Sequence, residues 1–237
     1  MSSSPRRIHA SSSHAALLRL VNRFELITAP LAGHAQFNRR TRLARRALRQ
    51  LCKKGRVIRR ELSDPTGGPP FEYFTAGPIK LSPQAVRERF AVLCFCVMSK
   101  QPKRLLSRAK LEAATASVRS VTGLALEYHP PCYPQFPKDA ESVSFRMIRI
   151  ARAAASGNID LNQVVADLDR FVSQPAFHIW AHYARRGRFG IDLLVDGAHL
   201  ALELETWLAR RPPISRVSGR ALIVPVKVHR AEPLWKS

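Results

Sequence analysis

Residues 38–60 read NRRTRLARRALRQLCKKGRVIRR, with eleven Lys and Arg among 23 positions and no acid. Such a run of like charge suits a solvated tail that never folds. Its periodicity points the other way. Wound at about 100° per residue over residues 39–54, Leu43, Ala47, Leu48 and Leu51 gather on one side, while Arg42, Arg45, Arg46, Arg49 and Lys53 gather opposite. A tail has no use for that division. Gly55 stands where a helix stop belongs, behind Lys53 and Lys54, whose charge suits the negative end of a helix dipole. The spacing predicts a helix with one flank held by its own domain and the other aimed at an anion. Arg40 is a misfit on the apolar side, expected in the first turn, where it still reaches water.

The chain of 237 residues is 46% apolar, enough for one large or two small cores, and carries a formal charge of +22. Its isoelectric point is near 11.3. So basic a protein repels itself unless a polyanion is its regular partner, and nucleic acid is the default candidate. Residues 1–80 hold 16 Lys+Arg against 4 Asp+Glu, the remainder 23 against 13, so the positive charge is concentrated toward the start. No apolar run reaches the ~18 residues that span a bilayer, and FAVLCFCVM at residues 90–98 is flanked by charge and reads as a buried helix. The opening MSSSPRRIHASSSH is Ser-rich, Arg-containing and acid-free like a transit peptide, but without an apolar core it is no secretory signal. Residues 1–12 are expected to be a disordered leader. Cys52, Cys94, Cys96 and Cys132 form no C-x-x-C pair, so neither a zinc knuckle nor a disulfide framework is indicated. The expectation is a cytoplasmic, nucleoid-associated protein with no cofactor and no membrane partner. Its excess of Arg and Ala is a bias common in GC-rich bacterial genomes.

Around the basic helix the other elements fall into order. Ser11, Ser12 and Ser13 offer N-caps to HAALLRLVNRF, where Leu17, Leu18, Leu20, Val21 and Phe24 form a helical stripe. Leu26-Ile27-Thr28 is a β-prone link, and APLAGHAQF after it suits a brief helix with Pro30 early. After the basic helix, RVIRREL alternates like a strand, DPTGGPP at residues 64–70 is a turn, and FEYF is a return strand. Together, L-x-x-L-x-x-x-G-R-V across residues 48–57, the basic strand and the aromatic return strand ending in Thr75-Ala76-Gly77 make residues 13–78 resemble a winged helix-turn-helix DNA-binding domain. Within that superfamily the third helix and wing look like those of bacterial regulators and mobile-element proteins.

The resemblance implies that the third helix enters the major groove of double-stranded DNA. Asn38, Arg39, Thr41, Arg42, Arg45, Arg46 and Arg49 then become the reading and clamping set, with the N-terminal members nearest the base edges. Lys53, Lys54, Arg59 and Arg60 are better placed for phosphate.

Ser82-Pro83 starts a helix in which Val86, Phe90, Leu93 or Cys94, and Val97 share a side, of the kind that builds a dimer interface or joins two domains. KRLLSRAKLEAATA from Lys103 predicts another, and these helices make residues 79–127 a connecting or dimerisation segment. The proline-rich stretch at residues 128–139 reads as a loop that opens a small α/β domain over residues 128–237. There, strands at SFRMIRIA, GIDLLVD and ALIVPVKVH alternate with helices after Asp160, over AFHIWAHYARRG and over AHLALELETWLARR. The fold class is α+β, a winged helix-turn-helix followed by a small α/β domain.

Three groups in that second domain bear chemistry. His178 and His182 have zinc-binding spacing, but lack the metalloprotease Glu and an assigned third ligand; Cys132 or His199 would have to complete the set through the fold. Asp192, Glu203 and Glu205 look like the carboxylate core of the PD-(D/E)xK nuclease fold, with Glu205 where its lysine belongs. On a helix Glu203 and Glu205 point apart; on a strand they share a face. Arg185, Arg186, Arg188, Arg210, Arg211, Arg216 and Arg220 cluster near predicted helix ends and suit an anion or simple capping. The function expected is a sequence-specific regulator of transcription from a bacterial mobile element, acting as a homodimer because one winged helix reads only a half-site. The alternative is a DNA-targeted enzyme or plasmid replication protein with a degenerate nuclease fold.

Overall fold

The structure is a computed structural model and describes residues 10–63, 69–78, 80–99, 101–123, 131–135, 143–151, 160–216 and 221–231. The chain divides into two compact units, one running to Pro102 and one from Lys103 to Glu232. Helices followed by a β-hairpin fill the first; a mixed sheet with helices fills the second.

The first unit opens with α1 (Ala10–Phe24), so Ser11–Ser13 lie in its first turn rather than capping it. The leader expected over residues 1–12 is corrected in part, since residues 10–12 are helical; residues 1–9, like residues 64–68 of the turn expected over 64–70, lie outside the described residues. Leu26 and Ile27 are fully buried. Ile27 exchanges two 2.9 Å main-chain bonds with Phe74, a single antiparallel bridge beside the two-stranded hairpin of β1 (Ile58–Leu62) and β2 (Phe71–Thr75). Thr28 caps α2 (Ala29–Gln36) by accepting the Leu31 N–H, with Pro30 in the first turn. Next come α3 (Thr41–Lys53) and, beyond the hairpin, α4 (Pro83–Met98), capped by Ser82. α2 packs on α3, α1 crosses both, and α4 packs on α1 and α2. Arg89 of α4 pairs at 2.5 Å with Glu25, whose left-handed backbone (φ 63°) ends α1.

The second unit is built on a four-stranded sheet of β3 (Cys132–Gln135), β4 (Ser144–Ile150), β5 (Phe189–Val195) and β8 (Val226–Arg230), in that order. β3 runs antiparallel to β4; β4, β5 and β8 are mutually parallel. α6 (Leu161–Ser173) and α7 (His178–Ala184) connect β4 to β5, and α8 (Ala198–Arg210) follows β5. α5 (Arg108–Thr122) precedes the sheet, and a small pair, β6 (Ile214–Ser215) with β7 (Leu222–Ile223), precedes β8. Alternation along the strands sends Phe145, Met147, Phe189, Ile191, Leu193 and Val195 into a core with Leu111, Val164, Leu168, Val172, Trp180, Leu204 and Leu208 of the helices. Tyr133, Arg146, Gly190 and Asp192 occupy the other face of the sheet.

Three expectations need correction here. The helix predicted from Lys103 begins only at Arg108, where the Ser107 hydroxyl accepts the Lys110 N–H, because Leu106 is engaged with the Cys132 carbonyl at 2.8 Å. The proline-rich loop contains β3: an edge strand tolerates Pro134, whose missing N–H breaks no ladder. The single strand expected over residues 221–229 is two, because Pro225 interrupts it while its carbonyl accepts the Ile191 N–H.

Candidate nucleic-acid interface

α3 is set in place by its two ends. At its start, a Cβ on Gly33 of α2 would lie 3.0 Å from the backbone of Thr41, so any larger residue would push the two helices apart by a few tenths of an ångström. The Gly33 carbonyl accepts N–H bonds from Phe37 and Arg39, closing a turn in which Asn38 (φ 46°) and Arg39 (φ 65°) are both left-handed. This corrects the expected start of the helix: Asn38 and Arg39 are exposed turn residues, Arg40 is the cap position, and half-buried Thr41 is the first helical residue. Consecutive left-handed residues cannot propagate a right-handed helix. At its end, Gly55 (φ 64°) donates to Cys52 O and Arg56 to Leu51 O, both at 2.9 Å, the pair of bonds of a Schellman motif. The stop predicted at Gly55 is therefore met.

The buried stripe of α3 is Ala44, Ala47, Leu48 and Leu51, at i, i+3, i+4 and i+7. Leu43, expected in it, is 43% exposed, while Ala44 is fully buried. Side-chain size misleads at this position: the small residue faces α2 because the helices pack closely. Opposite the stripe, Arg42, Arg46, Arg49 and Lys53 are exposed at i, i+4, i+7 and i+11, a line about 16 Å long at the 1.5 Å rise of a helix. Among the described residues, no carboxylate lies within ion-pair distance of these four or of Lys54. Gln50 turns aside to His14 of α1 at 3.1 Å. Cys52, at the end of the helix, has its thiol pushed up by burial, which outweighs the nearby Arg59, so it stays neutral.

Three of the expected cations are engaged within the protein. Arg45 Nε lies 3.7 Å from Glu72 Oε2. Arg59 bridges two carboxylates, donating through Nε to Glu72 at 2.6 Å and through Nη2 to Glu61 at 2.5 Å. Arg60 is half-buried and donates to the Thr75 hydroxyl at 3.3 Å and to the Pro78 carbonyl at 2.7 Å. Arg60 thus clamps the base of the hairpin rather than standing free for phosphate. Glu72 is absent from the residues predicted from sequence. So is Arg56, an exposed cation just beyond α3. One signal was available for Glu72: the register of a hairpin closing at residues 64–70 places it directly across from Glu61, two acids amid bases.

The second unit gathers its chemistry differently. Asp192, buried on β5, accepts from Arg146 Nη2 at 2.7 Å, from the Tyr133 hydroxyl, and pairs with His229 Nε2 at 2.9 Å. Arg146 Nη2 also reaches the Ile191 carbonyl at 2.8 Å. Burial alone would push the Asp192 carboxyl up; the bonds from His229, Arg146 and Tyr133 and the Arg146 charge instead hold it well below the usual carboxylate range. Burial, the hydrogen bond to Asp192 and that residue's charge push the Tyr133 hydroxyl up. Burial likewise raises the Cys132 thiol to about 12, so it stays a neutral thiol near pH 7.

Glu203 and Glu205 are exposed on α8, the helical arrangement that points them apart. With Asp192 enclosed by Arg146, Tyr133 and His229, the three carboxylates do not converge as a metal cage. Glu203 pairs instead with His199 at 3.5 Å. His182 is held low by burial and by the charges of Arg186 and Arg185, and its Nε2 is engaged by Arg186 Nη1. Among the described residues, no three His, Cys, Asp or Glu side chains are grouped to hold a metal ion. None of the described helices is long and apolar enough to cross a membrane. No protein family, curated protein or solved structure matches the chain.

Proposed function

We propose that the chain is a double-stranded DNA-binding protein whose first unit is a winged helix-turn-helix, with α3 in the major groove and the β1–β2 wing on the adjacent backbone. One observation carries this: Arg42, Arg46, Arg49 and Lys53 line one exposed flank of α3 with no carboxylate partner among the described residues, while Ala44, Leu48 and Leu51 fix the opposite flank in the core. A major groove about 12 Å wide accepts one helix, and a cationic line of that kind matches a phosphate-walled channel better than it serves solubility. The bridge from Ile27 to the hairpin and the short α2 packed against α3 fit the order of elements that such domains use. The use of this binding is regulation of transcription from a bacterial mobile element, with two copies of the chain reading two half-sites.

Genome-wide immunoprecipitation of the tagged protein tests this. Discrete peaks at promoters sharing a sequence motif are the expected result. Uniform recovery of DNA, or none above background, would overturn sequence-specific regulation, and peaks confined to a replication origin would transfer the same reader to initiation.

A further inference from the structure

We infer that Glu72 is a specificity-determining residue of this interface, which withholds the guanidinium groups of Arg45 and Arg59 from indiscriminate phosphate contact; this rests on reading the α3 flank as a duplex-DNA site. Residues 1–80 contain only four acids, and Glu61 and Glu72 are two of them. Both stand at the hairpin beside the basic helix, directly opposite one another in the antiparallel register. Facing carboxylates repel, and here Arg59 resolves the clash by bonding both. Arg45 approaches the remaining Glu72 oxygen from α3. The four side chains form a group of two cations and two anions with no net charge, next to a line of cations that have no acid partner among the described residues.

Glu72 is the hub of that group. Its side chain is 19% exposed, against 48% for Arg45 and 51% for Arg59, so both arginines still reach solvent while their charge is answered from beneath. An unpartnered arginine binds any phosphate with the same gain, and so raises affinity for every sequence alike. One held by a carboxylate gains only where the duplex offers more than the carboxylate does. A guanine edge taken by both nitrogens of the fork does so; a mispositioned phosphate does not. Glu72 thereby lowers the background on non-cognate DNA and keeps Arg45 aimed from its helix.

The test uses the full-length protein with two labelled duplexes: one recovered by selection from a randomised pool, the other a scrambled duplex of equal length. Glu72→Gln keeps the shape and removes the charge. Binding to the scrambled duplex is expected to steepen by about 0.9 in the slope of log affinity against log salt for each guanidinium released. The ratio of selected to scrambled affinity is expected to fall about tenfold. Glu61→Gln, altering a side chain that is 47% exposed, keeps the test open should the first variant melt early; it is expected to steepen the scrambled-duplex slope by about 0.9. Unchanged slope and ratio in a folded Glu72→Gln protein, with only a lower melting temperature, would reduce Glu72 to a staple between wing and helix and overturn the inference. Wild-type protein that binds neither duplex would overturn the interface itself, a result separate from both.

Discussion

Replacing Arg46 and Arg49 together with Ala isolates what α3 contributes through charge alone. Both side chains are exposed on the flank opposite Ala44, Leu48 and Leu51. Alanine is the stronger helix former by a few tenths of a kcal/mol, so the melting temperature is expected to stay put or rise slightly. Affinity behaves differently. Each phosphate contact releases condensed counterion and contributes about 0.9 to the slope of log affinity against log salt. Removing two contacts makes that slope shallower by about 1.8 and, near 0.15 M salt, weakens binding about 30-fold, roughly 2 kcal/mol. Fluorescence anisotropy of a labelled duplex of arbitrary sequence, titrated from about 50 to about 300 mM NaCl, reads both quantities. No operator need be known, since the counterion term is blind to sequence. A double variant with wild-type circular dichroism, affinity within about twofold and an unchanged slope would refute the placement of this flank on phosphate.

Two further expectations concern the second unit. Asp192→Asn leaves Arg146 buried beside a neutral amide and is expected to cost about 3–5 kcal/mol near neutral pH in urea unfolding. Because Asp192 is held below its ordinary value of 3.8 in the folded protein, its contribution is complete above about pH 4 and is lost as pH falls through that value toward the depressed folded one. Wild type should lose stability with acid over that window, and the Asn variant should lack this part of the slope; parallel curves would contradict the assignment. Gly190→Ala is expected to destabilise by a similar amount, because a Cβ there would sit 2.0 Å from Arg146 Nη1 and 3.1 Å from the Pro225 carbonyl. A Gly190→Ala protein that melts with wild type would show that the guanidinium has another place to go.

The parts legible in sequence are those set by local periodicity. The α3 partition, the stop at Gly55 and the Asp160 cap of α6 follow from spacing and from single residues acting within a turn. Contacts made across the chain were not legible. Leu43 and Ala44 are adjacent, and which of them is buried depends on how closely α2 approaches, which Gly33 decides from eight residues before Thr41. Pro134 reads as a loop residue until the edge position of β3 is known. Asp192, Glu203 and Glu205 look like a constellation along the sequence, yet helix geometry separates the last two and strand pairing gives Asp192 to Arg146 and Tyr133. The ion group at Glu72 joins α3 to both strands of the hairpin, so no window of sequence contains it.

Where the acids sit, more than where the bases sit, defines the proposed surface. The chain has 39 Lys and Arg against 17 Asp and Glu, so even one-to-one pairing leaves 22 cations without a carboxylate. Positive charge is available almost anywhere and marks no site by itself. Carboxylates are scarce, and each one converts a nearby guanidinium from an open binding group into a fixed part of the structure. Asp192 does this completely for Arg146, whose side chain is 9% exposed and is lost to any ligand. Glu72 does it partway for Arg45 and Arg59, which stay half in solvent. No described acid does it for Arg42, Arg46, Arg49 or Lys53. Within the first unit the open cations lie along one flank of α3, with half-held Arg45 and Arg59 beside them. A surface charged only for solubility has no reason to spend two of the four acids in its first eighty residues next to its most basic helix; one that must discriminate among polyanions does.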